Sequence, residues 1–207
     1  MTLFHGAVLK RRNLVLGNYP EADKMLENVR ADLRRYPGTR ARRLFLATLS
    51  QGFWAVFAYR VSHRLYHFPK PLRLMAWVPW LPIAKMVECA TGVQIGDAAR
   101  IGPGLYIGHF GTIIVSGKAV IGSMCNLSQG VTIGIAGNGA ARGVPVIGDR
   151  VYIGPGAKVI GLITVGDDAA IGANAVVTKS VRAGTTVGGV PAREISERGS
   201  ASFLDVE

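Results

Sequence analysis

The chain has 207 residues, 49% of them hydrophobic, with a formal net charge of +11 at neutral pH. That length and apolar content suit two modest folding units with a proper core and exclude a disordered chain. Two cysteines far apart, Cys89 and Cys125, exclude a disulfide framework or a cysteine-based zinc site and point to a reducing, cytoplasmic setting.

The charge is uneven. Residues 1–92 carry 15 Lys and Arg against 5 Asp and Glu, and residues 93–207 carry 9 against 8. No nucleic-acid-binding motif accompanies this basicity. The start, Met1 to Lys10, lacks the basic-then-apolar order of a secretory signal. The longest apolar run, Leu44 to Phe57, is interrupted by Ser50-Gln51-Gly52 and is shorter than the roughly 18 residues of a membrane span.

Residues 1 to about 20 read as irregular and basic. From Glu21 to Tyr36, Met25, Val29, Leu33 and Tyr36 fall at helical intervals, and Pro37-Gly38 stops the helix. Arg42 to Phe68 predicts one longer helix, apolar almost all round its middle. Pro69, Pro71, Pro79 and Pro82 predict short pieces up to Met86, so a basic helical domain covers residues 1–90.

An aliphatic residue followed by glycine then returns every six residues, as Ile95-Gly96, Ile101-Gly102 and Ile107-Gly108, and again from Ile147 to Ile171. A repeat this short buries its apolar side only by stacking on its neighbours, which predicts a mainly β solenoid over residues 91–195. The phase slips between Ile113 and Ile121, and a larger interruption between Ile133 and Ile147 predicts a projecting loop at 134–146. Residues 196–207 are left as a tail. The loop ends in no Gly-Lys-Ser/Thr, which argues against a nucleotide phosphate loop.

Of the histidines His5, His63, His67 and His109, only His109 lies in the solenoid, beside a repeat corner in Tyr106-Ile-Gly-His-Phe-Gly111. Imidazole is the side chain best suited to take a proton from a hydroxyl near neutral pH, so His109 is the candidate general base. A surface or subunit-contact histidine is the plainer alternative. One solenoid histidine falls short of the three that a zinc carbonic anhydrase built on such a prism would need, and no metal is expected.

The stretch Val93 to Ala192 resembles the hexapeptide-repeat acyltransferases, most closely the serine acetyltransferase branch. The matching segments are Ala99-Arg-Ile-Gly-Pro-Gly-Leu105, His109-Phe-Gly-Thr112, Gln129-Gly-Val-Thr-Ile-Gly134, Ile153-Gly-Pro-Gly-Ala-Lys-Val-Ile-Gly161 and Gly188-Gly-Val-Pro-Ala192. Ala31-Asp-Leu-Arg-Arg35 and Ala58-Tyr-Arg-Val-Ser-His63 match that branch's helical domain.

The resemblance implies a left-handed parallel β-helix and a homotrimer, or a dimer of trimers, with active sites between prisms. It implies acetyl-CoA as co-substrate, His109 as catalytic base, and CoA contacts near Gly134, Ala136, Gly154, Pro155, Ala173 and Lys179. Lys179 reads equally well as a solvated corner lysine.

Departures matter as much. Gly108 stands where the branch has an aspartate, a second acidic residue expected near Ala41 is missing, Gln94 replaces the aspartate that orients the histidine, and Gly143 replaces a loop histidine. A glutamine carbonyl accepts the imidazole N–H but does not balance imidazolium as a carboxylate does. The lost carboxylates argue against free serine and for a sugar hydroxyl, as in the similar enzymes of exopolysaccharide and capsule pathways. Arg142, Tyr106 and Phe110 are the candidate acceptor contacts. Serine O-acetylation and an inert trimerisation scaffold are the alternatives, and a sugar-nucleotide N-acetyltransferase leaves the helical domain unexplained. The ending Asp205-Val-Glu207 lacks the isoleucine through which serine acetyltransferases engage cysteine synthase. Arg40, Arg42, Arg43, Arg60, Arg64, Lys70 and Arg73, interleaved with Phe53, Trp54, Trp77 and Trp80, suggest a seat at the inner membrane face, against the plainer reading of subunit packing.

Overall fold

The computed structural model describes residues 24–204. The readings for residues 1–20, for the start of the first helix at Glu21 and for Asp205 to Glu207 lie outside them. Four helices come first: α1 (Met25–Leu33), α2 (Arg40–Leu49), α3 (Gln51–Tyr66) and α4 (Lys70–Thr91). The single long helix expected over 42–68 is two, because Ser50 leaves the helical region at ψ 111° and its hydroxyl caps α3 by accepting from the Phe53 N–H. The short pieces expected after Pro69 are one helix of 22 residues. Pro71 sits in its first turn, where a missing N–H costs nothing, and Pro79 and Pro82 fall on its exposed side while the opposite side packs on α3. Tertiary packing overrides local propensity here.

Gly92 closes α4 in the left-handed conformation, and the solenoid follows at once. Its strands are β1 (Val93–Ile95), β2 (Arg100–Ile101), β3 (Tyr106–Ile107), β4 (Ile113–Val115), β5 (Val120–Ile121), β6 (Asn126–Leu127), β7 (Thr132–Gly134), β8 (Val146–Ile147), β9 (Tyr152–Ile153), β10 (Lys158–Ile160), β11 (Thr164–Val165), β12 (Ala170–Ile171), β13 (Val176–Val177) and β14 (Thr186–Gly188). They stack as three parallel faces over about five turns: β1-β4-β7-β10-β13, β2-β5-β8-β11 and β3-β6-β9-β12-β14.

The register turns the repeat into three buried columns: Ile95-Val115-Ile133-Val159-Val177, Ile101-Ile121-Ile147-Val165 and Ile107-Leu127-Ile153-Ile171-Val187. Nearly all of these side chains are removed from water, and the columns are the core. Val115 rather than Ile113 partners Ile95, so the two extra residues lie between Ile107 and Val115 and not between Ile113 and Ile121. The widened corner is the one that carries His109.

The described part of the tail, up to Leu204, packs back on the fold. β15 (Arg193–Ser196) returns antiparallel to β14, and α5 (Ala201–Leu204) reaches back until Phe203 stacks on Tyr152 at 4.7 Å and Arg35 donates to the Leu204 carbonyl at 3.0 Å.

Helices and solenoid meet along α3. A methyl group at Gly52 would fall on the Ile107 carbonyl oxygen, so the helix approaches β3 as closely as backbone allows. Gly52→Ala is therefore expected to push α3 off the solenoid and cost about 1–3 kcal/mol, as overpacking does. Thermal unfolding of that variant beside the parent chain checks this.

Candidate functional site

His109 is exposed on the corner between β3 and β4. Backbone bonds from neighbouring layers fix that corner: the Gly111 N–H donates to the Thr91 carbonyl at 2.8 Å, and the Gly130 N–H donates to Gly111 at 3.0 Å. The imidazole has no hydrogen-bond partner among the described residues. A rigid backbone thus presents a ring whose two nitrogens are open to a ligand.

The same edge of the prism carries Gly154, Pro155 and Ala173 in the layers above. The Gly154 N–H donates to Ile171, and the Asn174 N–H donates to the Pro155 carbonyl at 2.7 Å. Gly134, Ala136 and Lys179 lie along the next edge, across the β1-β4-β7-β10-β13 face. That second edge is narrow and small-residue: Gly161 donates to Gly134 at 3.3 Å, and a methyl group at Gly161 would meet only Ala136. Backbone groups there stay within reach of an extended amide-bearing arm such as that of CoA. Lys179 is exposed beside a cleft of about 230 Å³ that Arg193 and Glu194 also line.

The outward row of the face between the edges reads Gln94, Ile114, Thr132, Lys158, Val176. Gln94 is exposed on it, and no hydrogen bond joins it to His109. Lys158, which was not anticipated, donates from Nζ to the Gly130 carbonyl at 2.6 Å and to Thr132 Oγ1 at 3.2 Å, bracing the corner above His109. Its signal was the lysine in an otherwise aliphatic Ala157-Lys-Val-Ile160.

The acceptor candidates separate. Tyr106 is half-buried beneath the helical domain: its ring meets Tyr36 edge-on at 5.5 Å, and the Arg35 guanidinium lies 5.9 Å from its centroid. Burial pushes its phenol up, and Arg35 partly opposes this. Tyr36 is itself buried and pushed up to about 12 by desolvation, against its hydrogen bond to Ser50. Phe110 is exposed beside His109. Arg142 is exposed on the projecting loop, whose neck is closed by the paired Ala136 and Gly143 backbones. Ala41 is exposed on α2, and the helical-domain side chains that reach Tyr106 are Tyr36 and Arg35.

Both substituted glycines are packed against something. A side chain at Gly108 would meet the Tyr106 ring at 3.2 Å, and one at Gly143 would meet Leu162 at 2.6 Å. The aspartate and histidine of the related pattern would therefore each need a neighbour to move.

A helical domain before a parallel prism, with a lone imidazole offered at one corner, defines a hexapeptide-repeat acyltransferase. The bacterial transferase hexapeptide (six repeats) model matches residues 145–179. Serine acetyltransferase of Helicobacter pylori is 35% identical over 149 residues, 72% of this chain and 84% of that enzyme. That of Synechococcus elongatus is 36% identical over 148 residues, and there the match spans only 58% of the relative. The crystal structure of Neisseria gonorrhoeae serine acetyltransferase superposes with TM-score 0.72 and 34% identity, covering 91% of this chain and 69% of that one. A form of it in complex with serine superposes with TM-score 0.70. The chain belongs to the serine acetyltransferase family, and it is an acetyl-CoA-dependent acyltransferase. These relatives support the serine branch of the resemblance rather than the exopolysaccharide and capsule branch.

Proposed function

We propose that the chain transfers an acetyl group from acetyl-CoA to the side-chain hydroxyl of serine, with His109 as general base. The observation that carries this is continuous similarity through both helical domain and prism to an enzyme solved with serine, combined with the open imidazole on its fixed corner. His109 takes the hydroxyl proton as the oxygen bonds to the thioester carbonyl carbon. The C–S bond breaks, and the departing thiolate recovers the proton from imidazolium. Gly134, Ala136, Gly154, Pro155 and Ala173 hold the CoA arm through backbone groups, and Lys179 meets its phosphates. In a trimer, one chain's His109 edge would face the neighbour's Gly134 edge.

A second reading rests on Gly108. The neighbour that a side chain at Gly108 would meet is the Tyr106 ring and not a carboxylate, and an aromatic ring suits a sugar better than an ammonium group. A sugar hydroxyl is then the acceptor.

Release of CoA thiol with L-serine, and separately with hexose acceptors, decides between them. Serine turnover is expected with a raised KM, and Gly108→Asp is expected to lower that KM about tenfold, since a charge-assisted hydrogen bond contributes roughly 1.5–3 kcal/mol. Release with a hexose but not serine would reject the serine reading and establish the second.

A further inference from the structure

We propose that α4 is a membrane-docking helix that lies in the plane of an anionic lipid surface. Its outward stripe, Pro71, Met75, Val78, Pro82 and Met86, repeats at helical spacing, and all five side chains are exposed. Met75 is 75% exposed and Met86 66%, with Leu72, Leu74 and Ile83 flanking them at 46–64%. Two lysines border this stripe, Lys70 at the start of the helix and Lys85, which is bonded to Glu88 at 2.6 Å. The helix is about 33 Å long at 1.5 Å per residue, so this is an extended apolar face rather than scattered surface residues.

Trp77, Trp80 and Arg73 of α4 point the other way. Trp80 donates to Ser62 Oγ at 2.8 Å, Trp77 hydrogen-bonds Asp97, and Arg73 stacks over Tyr66 at 5.7 Å. Arg60, which the sequence suggested for such a surface, is buried in an ion pair with Asp32. The docking face is therefore not the arginine and tryptophan series but the aliphatic series between them.

Charge selects the occupant. Setting aside Arg60, buried on Asp32, residues 40–91 carry seven Lys and Arg (40, 42, 43, 64, 70, 73, 85) and one acidic residue, Glu88. A second copy laid on this face would bring that cationic domain against itself, whereas an anionic bilayer attracts it while taking up the aliphatic stripe. No helix among the described residues is long and apolar enough to cross a membrane, which fits a helix lying in the interface.

Sedimentation of the full chain with phosphatidylcholine vesicles containing one-third phosphatidylglycerol, against vesicles of phosphatidylcholine alone, tests this. Binding to the anionic vesicles is expected to weaken with salt and to fall about tenfold or more in Met75→Glu/Met86→Glu, because a charge replaces apolar contact at two points of the stripe. Circular dichroism and acetyl-CoA turnover of that variant should match the parent, since both side chains are mostly exposed and neither belongs to the buried core. Equal binding of parent and variant, or no preference for anionic vesicles, overturns the proposal. So does a parent that ignores both vesicles while the variant loses oligomer mass, which would make the face a contact between copies.

Discussion

His109→Ala is expected to lower acetyl transfer by about 10²–10⁴-fold, the range that a positioned general base contributes, while leaving the melting temperature and CoA affinity unchanged. The separation of readouts follows from the geometry. The imidazole is exposed and bonds to no other described residue, so its loss removes no packing and orphans no buried group. The corner itself is held by main-chain bonds to Thr91 and from Gly130, which alanine retains. Among the described residues no neighbouring imidazole is placed to substitute. His63 is on α3, with Nδ1 bonded to the Asp97 carbonyl at 2.8 Å and its pKa lowered by burial, and His67 packs against it at 4.7 Å. Steady-state kinetics beside calorimetric CoA titration measures both quantities. Unchanged turnover would remove His109 from the chemistry. A parent chain with neither turnover nor CoA binding would leave the inert scaffold.

The prism was legible because its signal is redundant: Ile101, Ile121, Ile147 and Val165 each carry the same inward position, and any one of them could have been missed. The corner that matters for chemistry was misplaced for a local reason. Ile113 lies six residues beyond Ile107 and Val115 eight; both are aliphatic and buried, and only the ladder with Val93 and Ile95 distinguishes them. The break at Ser50 had a capping residue to announce it, but the aliphatic run on either side concealed it. The continuity of α4 through two prolines had no local signal, since it depends on α3 being alongside. His109 was legible as the solenoid's sole imidazole. The Tyr36 and Tyr106 wall was not, because 70 residues separate two side chains that only the docking of helices on β3 brings together.

The same docking sets the largest expected stability effect. Asp32→Ala is expected to destabilise the fold by about 3–5 kcal/mol, the cost of leaving a buried charge without its partner. Asp32 is 1% exposed and Arg60 3%. Asp32 Oδ2 accepts from Arg60 Nε at 3.0 Å, and Oδ1 accepts from Nη2 at 3.1 Å and from the Gly104 and Leu105 N–H groups at 2.9 Å each. Arg60 donates onward to the Ile101 and Gly102 carbonyls at 2.6 and 2.7 Å. One pair thus ties α1 and α3 to the first turn of the solenoid.

Burial nevertheless pushes the Asp32 carboxyl up, against the pull of Arg60 and the two N–H groups, so ionising it inside the protein is costly. The intact pair is then a device for register more than a source of stability, because desolvation consumes much of the attraction. Two results separate these roles. Asp32→Ala/Arg60→Met, which removes both charges and keeps most of the volume of Arg60, should recover part of the stability lost in Asp32→Ala when unfolding is followed in denaturant. It should not recover full activity, since Leu105 leads directly into Tyr106, Gly108 and His109, and that strand would lose its anchor to α1. If the double variant is instead as unstable as the single one, the ion pair is itself a stabilising contact, and the placement of the helices on the prism depends on apolar contacts such as Tyr59 and Val56.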